Sequence, residues 1–232
     1  MPNTSYQASS GELKAYLAEP TCDGPWPGVV VIQDALGLSD DIRAQADRLA
    51  AAGYLAFAPD LYSGRGLRCV LATLSASRSG KGEAYDDIEA ARRLVADRDD
   101  CTGKVGIIGF CMGGGFAMLC APKYDFAASS VNYGEVPKDI ERLRGACPVV
   151  ASYGQRDFTL RGRAERLERA LTELGVPHDV KEYPGAGHSF MNKLETPLPD
   201  QVVQLTGFSY HEASAEDSWR RILDFYGEHL RG

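Results

Sequence analysis

No stretch of this 232-residue chain approaches the roughly 20 consecutive apolar residues that cross a bilayer. The opening MPNTSYQASSGELKAYL has neither the basic region nor the apolar block of a secretory signal, so a soluble, cytoplasmic protein is expected, with no membrane partner. A long basic run is missing, as is any interleaving of aromatic with basic side chains. With a formal net charge of −7, nucleic acid is not expected as a partner. Histidine is scarce, at four residues, and the six cysteines never adopt C-x-x-C spacing. Neither a zinc site nor a disulfide framework is indicated, and no metal or cofactor is expected. Internal repeats and low-complexity linkers are lacking too, which leaves one domain over residues 1–232.

What is present is a set of short apolar runs bounded by turn residues: Val29–Ile32, Leu55–Ala58, Val105–Ile108 and Val149–Tyr153. Continuous runs of this kind suit strands buried on both faces, as in a parallel sheet covered by helices. The stretch GELKAYLAEP alternates instead and reads as an edge strand or hairpin. Between the runs lie helical patterns over Asp41–Ala52, Glu83–Asp97, Arg161–Leu174 and Ala215–Leu230. The first has Ser39 or Asp40 as its N-cap and Gly53 as its stop. Repeating strand–helix units predict a doubly wound α/β sheet, in which ligands bind beyond the carboxyl ends of the strands.

Three such ends carry chemistry. IIGFCMGGG places Cys111 between Gly109 and Gly113, the G-x-nucleophile-x-G form with cysteine where serine is usual. A Cβ at either glycine would crowd the turn, and the helix that follows would direct its free N–H groups at the sulfur. The alternative is a structural cysteine in a glycine-rich turn. Asp157, in YGQRDFTL, can orient a histidine or cap a helix beginning near Leu160. His188, in YPGAGHSFMN, sits in a glycine-rich polar loop that suits a working imidazole, whereas His178, His211 and His229 read as structural or solvated. The order nucleophile, acid, histidine is that of the α/β-hydrolases.

With VVVIQDALGL, GYLAFAPDLY, GFCMGG, YGQRD and YPGAGHSF, residues 28 to 191 resemble the dienelactone hydrolase family, a cysteine-nucleophile branch of the α/β-hydrolases. The resemblance implies an α/β-hydrolase fold, a mostly parallel central sheet with helices on both faces. It implies Cys111, Asp157 and His188 as a triad, and the backbone N–H groups of Ala35 and Met112 as an oxyanion hole. The function it implies is hydrolysis of a small-molecule ester or lactone through a thioester. Two positions differ. Asp34 stands where those enzymes place a glutamate that influences the cysteine's protonation. Asn192 stands where they place an arginine that recognises a substrate carboxylate, and an amide supplies neither its charge nor its fork geometry.

Compensation for the missing arginine is expected between Leu61 and Gly82, a segment with Arg65, Arg68, Arg78 and Lys81 and no acid. Read as a loop overhanging the site, it offers Arg65, Arg68 or Arg78 to an anionic substrate; as a solvated surface loop it offers nothing. Tyr133, after another expected strand, is a candidate for the pocket wall. The residues between His188 and the last helix read as a loop narrowing the entrance. Two other functions fit the same elements: a ligand-binding protein with little or no turnover, and a thiol redox protein. The second lacks a resolving cysteine near Cys111, since Cys120 lies nine residues along a helix.

Overall fold

The computed structural model describes residues 3–63, 66–193 and 208–232. The chain opens with an antiparallel hairpin, β1 (Thr4–Ala8) and β2 (Gly11–Ala18), then alternates strand and helix. β3 (Trp26–Ile32), α1 (Asp40–Ala51), β4 (Leu55–Pro59), α2 (Leu67–Ser79) and α3 (Glu83–Ala96) follow in order. Next come β5 (Cys101–Phe110), α4 (Met112–Cys120), β6 (Ala128–Asn132), a short 3-10 turn (Ile140–Leu143) and β7 (Val149–Gly154). α5 (Arg163–Leu174), β8 (His178–Tyr183) and α6 (Glu212–Arg231) complete the described chain.

The strands form one sheet in the order β1-β2-β4-β3-β5-β6-β7-β8, parallel from β4 to β8. The burial of each strand follows from its neighbours. β4, β6 and β7 are buried along their whole length, while β1 at the edge alternates buried with exposed. α1 and α6 share one face, tied together by the Arg48–Glu216 ion pair and by the Arg48 guanidinium over the Trp219 ring. α3, α4 and α5 pack on the other, with α2 riding on α3 and α4. The apolar stripe of α6 buries Trp219, Ile222, Tyr226 and Leu230, and the Tyr226 hydroxyl donates to the Ile107 carbonyl of β5.

β4 lies on one side of β3 and β5 on the other, so the sheet reverses its direction of growth between them. The crevice at the carboxyl ends of β3 and β5 is where such a reversal makes room for a ligand. The segments after these two strands carry Asp34–Ala35 and Cys111–Met112.

Several boundaries differ from the sequence expectation. β5 begins at Cys101, four residues before the apolar run, because Cys101 pairs in register with Trp26 of β3 although its neighbours are exposed. The segment expected as a loop over 61–82 contains α2. Its buried face is made of the small residues Thr73, Ala76 and Ser77, and it ends on Gly80 in the left-handed region. α5 starts at Arg163 with Gly162 as its N-cap residue, so Asp157 does not cap it. Ser39 caps α1 through its side chain, accepting from the Ile42 N–H.

The closest packing is between α4 and the strands. A Cβ on Gly109 would lie 1.9 Å from the Gly113 carbonyl oxygen, and one on Gly113 would lie 2.3 Å from the Ile32 carbonyl oxygen. Both obstacles are backbone, which cannot swing aside. Gly113→Ala is expected to lower stability in urea unfolding by about 3 kcal/mol. Gly227→Ala, within α6 and with nothing near its added methyl group, is expected to raise it by about 0.5–1 kcal/mol. Equal effects at the two positions would contradict this account of the packing.

Candidate active site

The turn between β5 and α4 holds Cys111 at φ 55° and ψ −112°, outside the regions that a side chain with a Cβ normally occupies. The conformation is held from both sides. The Cys111 N–H donates to the Asn132 carbonyl of β6 at 3.0 Å, and the glycines on either side allow α4 to press against β3. The sulfur-bearing residue is half-buried and borders a cavity of about 310 Å³.

His188 and Asp157 meet beside that cavity. His188 Nδ1 lies 2.6 Å from Asp157 Oδ2, and both side chains are buried. The other carboxylate oxygen of Asp157 accepts from the Thr159 hydroxyl at 2.6 Å, the Thr159 N–H at 2.9 Å and the Leu160 N–H at 3.3 Å. Burial alone would raise the carboxyl's pKa. The bonds from His188 and Thr159 outweigh it and hold the group below its usual range. For His188, burial lowers the proton affinity, but Asp157 and Cys111 more than offset this and push the ring up to about 9. With Nδ1 committed to Asp157, Nε2 is the nitrogen left for Cys111.

Ala35 and Met112 line the same cavity, and neither N–H donates to a protein acceptor among the described residues. The Ala35 carbonyl is tied back by the Tyr62 hydroxyl at 3.2 Å, which gives the tyrosine of PDLY a role in holding that segment. Tyr133 also lines the cavity. Its φ is 41°, it is fully buried, and its ring packs edge-on against His188 with centroids 5.3 Å apart.

Asp34 and Asn192, expected as substrate contacts, are buried and are not among the residues that line the cavity. Asp34 is buried behind Ala35, with Oδ1 accepting from the Leu36 N–H at 2.7 Å. Asn192 is buried too: Nδ2 donates to Asp41 of α1, so Oδ1 must face Tyr133 and accept from its hydroxyl. The amide thus ties Tyr133, and through it the His188 loop, to α1.

Of the three arginines, Arg78 lines the cavity from the last turn of α2. Arg68 is exposed on the first turn and is not part of the wall, and Arg65 lies outside the described residues. The segment expected to narrow the entrance falls largely on 194–207, also outside the described residues. Phe208, just after it, lines the cavity and packs against His188 with centroids 5.1 Å apart. Sequence reasoning missed Phe208, Leu74 and Leu160. It also missed Thr159, whose spacing from Asp157 is an Asx-turn signal. A larger hollow of about 510 Å³ opens at the amino ends of β3 and β5, beside Trp26 and Lys104, and its lining includes no histidine. Among the described residues no group of three or more His, Cys, Asp or Glu side chains is arranged to hold a metal ion, and no helix is long and apolar enough to cross a membrane.

Comparison with known proteins follows the same outline. The family model described as dienelactone hydrolase family matches residues 13–230. An Escherichia coli K12 protein provisionally named carboxymethylenebutenolidase is 30% identical over 246 aligned positions, covering 97% of this chain and 86% of that one. The crystal structure of a protein from Klebsiella pneumoniae, provisionally named dienelactone hydrolase, superposes with a TM-score of 0.80 at 28% identity and covers 97% of each chain. A dienelactone hydrolase-like promiscuous phosphotriesterase from metagenomic libraries shares the fold, with a TM-score of 0.79 at 23% identity over 97% of this chain and 96% of that one. The architecture is the α/β-hydrolase fold.

The buried Asp34 carboxyl makes the site's electrostatics measurable. Burial, with Asp41 adding to it and the Leu36 N–H and His188 opposing, raises its pKa from 3.8 to about 6. The folded chain therefore holds this proton more tightly than the unfolded chain, and stability is lost as pH rises through that window. Asp34→Asn removes the loss. The melting temperature of the variant relative to the parent is expected to climb between pH 4 and pH 7; a constant difference would show that the carboxyl is not burdened by burial.

Proposed function

Because the chain belongs to the dienelactone hydrolase family, we propose that it hydrolyses small esters or lactones with Cys111 as nucleophile, His188 as base and Asp157 as the group that orients and steadies His188. The observation that carries this reading is the meeting of three separate segments at one cavity. A cysteine on a constrained turn, a histidine bonded to a buried carboxylate, and two unengaged N–H groups border the same space.

The Cys111 sulfur attacks the carbonyl carbon, and the proton it gives up goes to His188 Nε2. The raised proton affinity of the ring suits it to hold that proton, and the ionised Asp157 steadies the positive charge. The carbonyl electrons move onto oxygen, where the Ala35 and Met112 N–H groups receive the negative charge. Each such donor is commonly worth about 3–4 kcal/mol in the transition state. Collapse expels the alcohol oxygen, which takes the proton from His188, and leaves a thioester on Cys111. Water, deprotonated by His188, attacks the thioester carbonyl and releases the acid, and the proton returns to sulfur. In a lactone the expelled oxygen stays attached to the product. No cofactor enters any step.

We assign the substrate's negative group to Arg78. Besides Cys111, Tyr133 and His188, two ionisable side chains line the cavity among the described residues, Arg78 and Glu135. Glu135 is paired with Arg163 at 2.6 Å, whereas Arg78 has no ion-pair partner among the described residues. A carboxylate-bearing ester or lactone gives that guanidinium its counter-charge. This replaces the arginine that position 192 lacks.

Intact-protein mass spectrometry after rapid mixing with p-nitrophenyl acetate tests the nucleophile. An acetyl group on Cys111, with release of p-nitrophenolate abolished in Cys111→Ala, is expected. Equal slow release by both proteins with no adduct would favour a binding protein on this fold. Arg78→Gln is expected to raise KM for an anionic ester about tenfold and to leave the neutral acetate within about twofold. An unchanged KM for the anionic ester would remove Arg78 from the site.

A further inference from the structure

Among the described residues, five large hydrophobic side chains are exposed: Leu36, Leu67, Leu71, Leu94 and Phe158. Four of them belong to segments that also wall the catalytic cavity. Leu36 follows Ala35, and Phe158 lies between Asp157 and Thr159. Leu67 and Leu71 share one helical face with Leu74 and Arg78, at spacings of four, three and four residues, and Leu74 and Arg78 line the cavity itself. These four side chains come from three loops or helices brought to the same edge of the sheet, and Leu67, Leu71 and Phe158 are 72%, 58% and 67% exposed. An apolar cluster at the mouth of a cleft is the kind of surface that binds something apolar.

The cavity beneath is small. At about 310 Å³ it sits at the lower end of the range for ligand pockets, enough for a small ester, so that only a longer chain reaches the stripe. From Leu74 the leucine stripe continues outward for seven residues, about 10 Å of helix. We propose that this stripe is a subsite for an apolar arm of the substrate. The substrate class is then an amphiphile, an ester whose reacting carbonyl sits at Cys111 while an acyl or alkyl chain of medium length lies along Leu74, Leu71 and Leu67. The occupant is a substrate arm because the stripe has no break between solvent and the cavity wall: the same helical face that bears Leu71 bears Leu74 and Arg78. This inference rests on Cys111 being the nucleophile.

A series of p-nitrophenyl esters from acetate to octanoate, each kept below its aggregation concentration, tests it. In the unaltered protein kcat/KM is expected to rise about twofold per added methylene, roughly half of what complete burial of a methylene gives. Leu67→Ser combined with Leu71→Ser is expected to cut the octanoate value about tenfold and to keep the acetate value within about twofold. Both side chains are on the surface, so the fold tolerates the change. Leu94→Ser, an exposed leucine on α3, is expected to match the parent on every ester. A flat or falling profile with chain length, or a slope that survives the double change, overturns the subsite. Sedimentation supplies a second readout. If the parent is a dimer, the double variant a monomer and the chain-length profile flat, the stripe is an interface between two copies instead. Chain-length independence with Cys111-dependent turnover sinks only the subsite. Turnover of no ester at all, or turnover untouched in Cys111→Ala, sinks the nucleophile and the subsite together.

Discussion

Cys111 occupies a backbone conformation that a free chain avoids, and much of the architecture around it serves to hold that turn in place. The turn is bonded to β6 through the Asn132 carbonyl and wedged against β3 through Gly113. It is supported from behind by β5, whose Gly109 leaves room for the carbonyl of Gly113. Each contact is backbone to backbone, so none can relax by a change of rotamer. Placing the turn at the reversal of strand order matters for the same reason. β3 and β6 lie on the two sides of β5, so both can reach the turn, and the segment after β3 brings Ala35 to face Met112.

Charge around the turn is graded by solvent access and by partners. Asp157 is buried yet ionised because three donors converge on one of its oxygens and His188 occupies the other. Asp34 is buried with one backbone donor on its carboxyl, and its pKa goes up. Burial raises the pKa of both carboxyls, and the net shifts run in opposite directions because His188 and Thr159 outweigh burial at Asp157 while the Leu36 N–H does not at Asp34. A group that must stay charged through a catalytic cycle needs the first environment. Asp34 has the second, and it sits behind the Ala35 segment where a change in its charge is felt by His188.

The parallel strands were legible because both of their faces are covered, which leaves a continuous apolar run for a signal. Cys111, Asp157 and His188 were legible because each lies where a strand ends and because glycines mark two of the three turns. α2 was not, since its buried face is Thr73, Ala76 and Ser77 while Leu67 and Leu71 are exposed, so the helical stripe is the reverse of the one a core helix shows. Phe208 and Leu160 line the cavity without any local sequence pattern that marks them. The role of Asn192 was hidden for a different reason. A buried amide is identified by its partners, and Asp41 lies 151 residues away in sequence.

That last contact explains how the site keeps its shape without an arginine at position 192. Asp41 is a pure acceptor, which fixes the amide orientation of Asn192 and requires the Tyr133 hydroxyl to be the donor. Asp41 also accepts from the Lys193 N–H at 2.8 Å, so one carboxylate on α1 anchors the chain just after His188 at two successive residues. A guanidinium at 192 has no acceptor atom and would leave the Tyr133 hydroxyl without its acceptor. An amide there exchanges the charge for a fixed ring beside His188. The arginine that does line the cavity, Arg78, stands on the last turn of α2, one helical turn beyond Leu74.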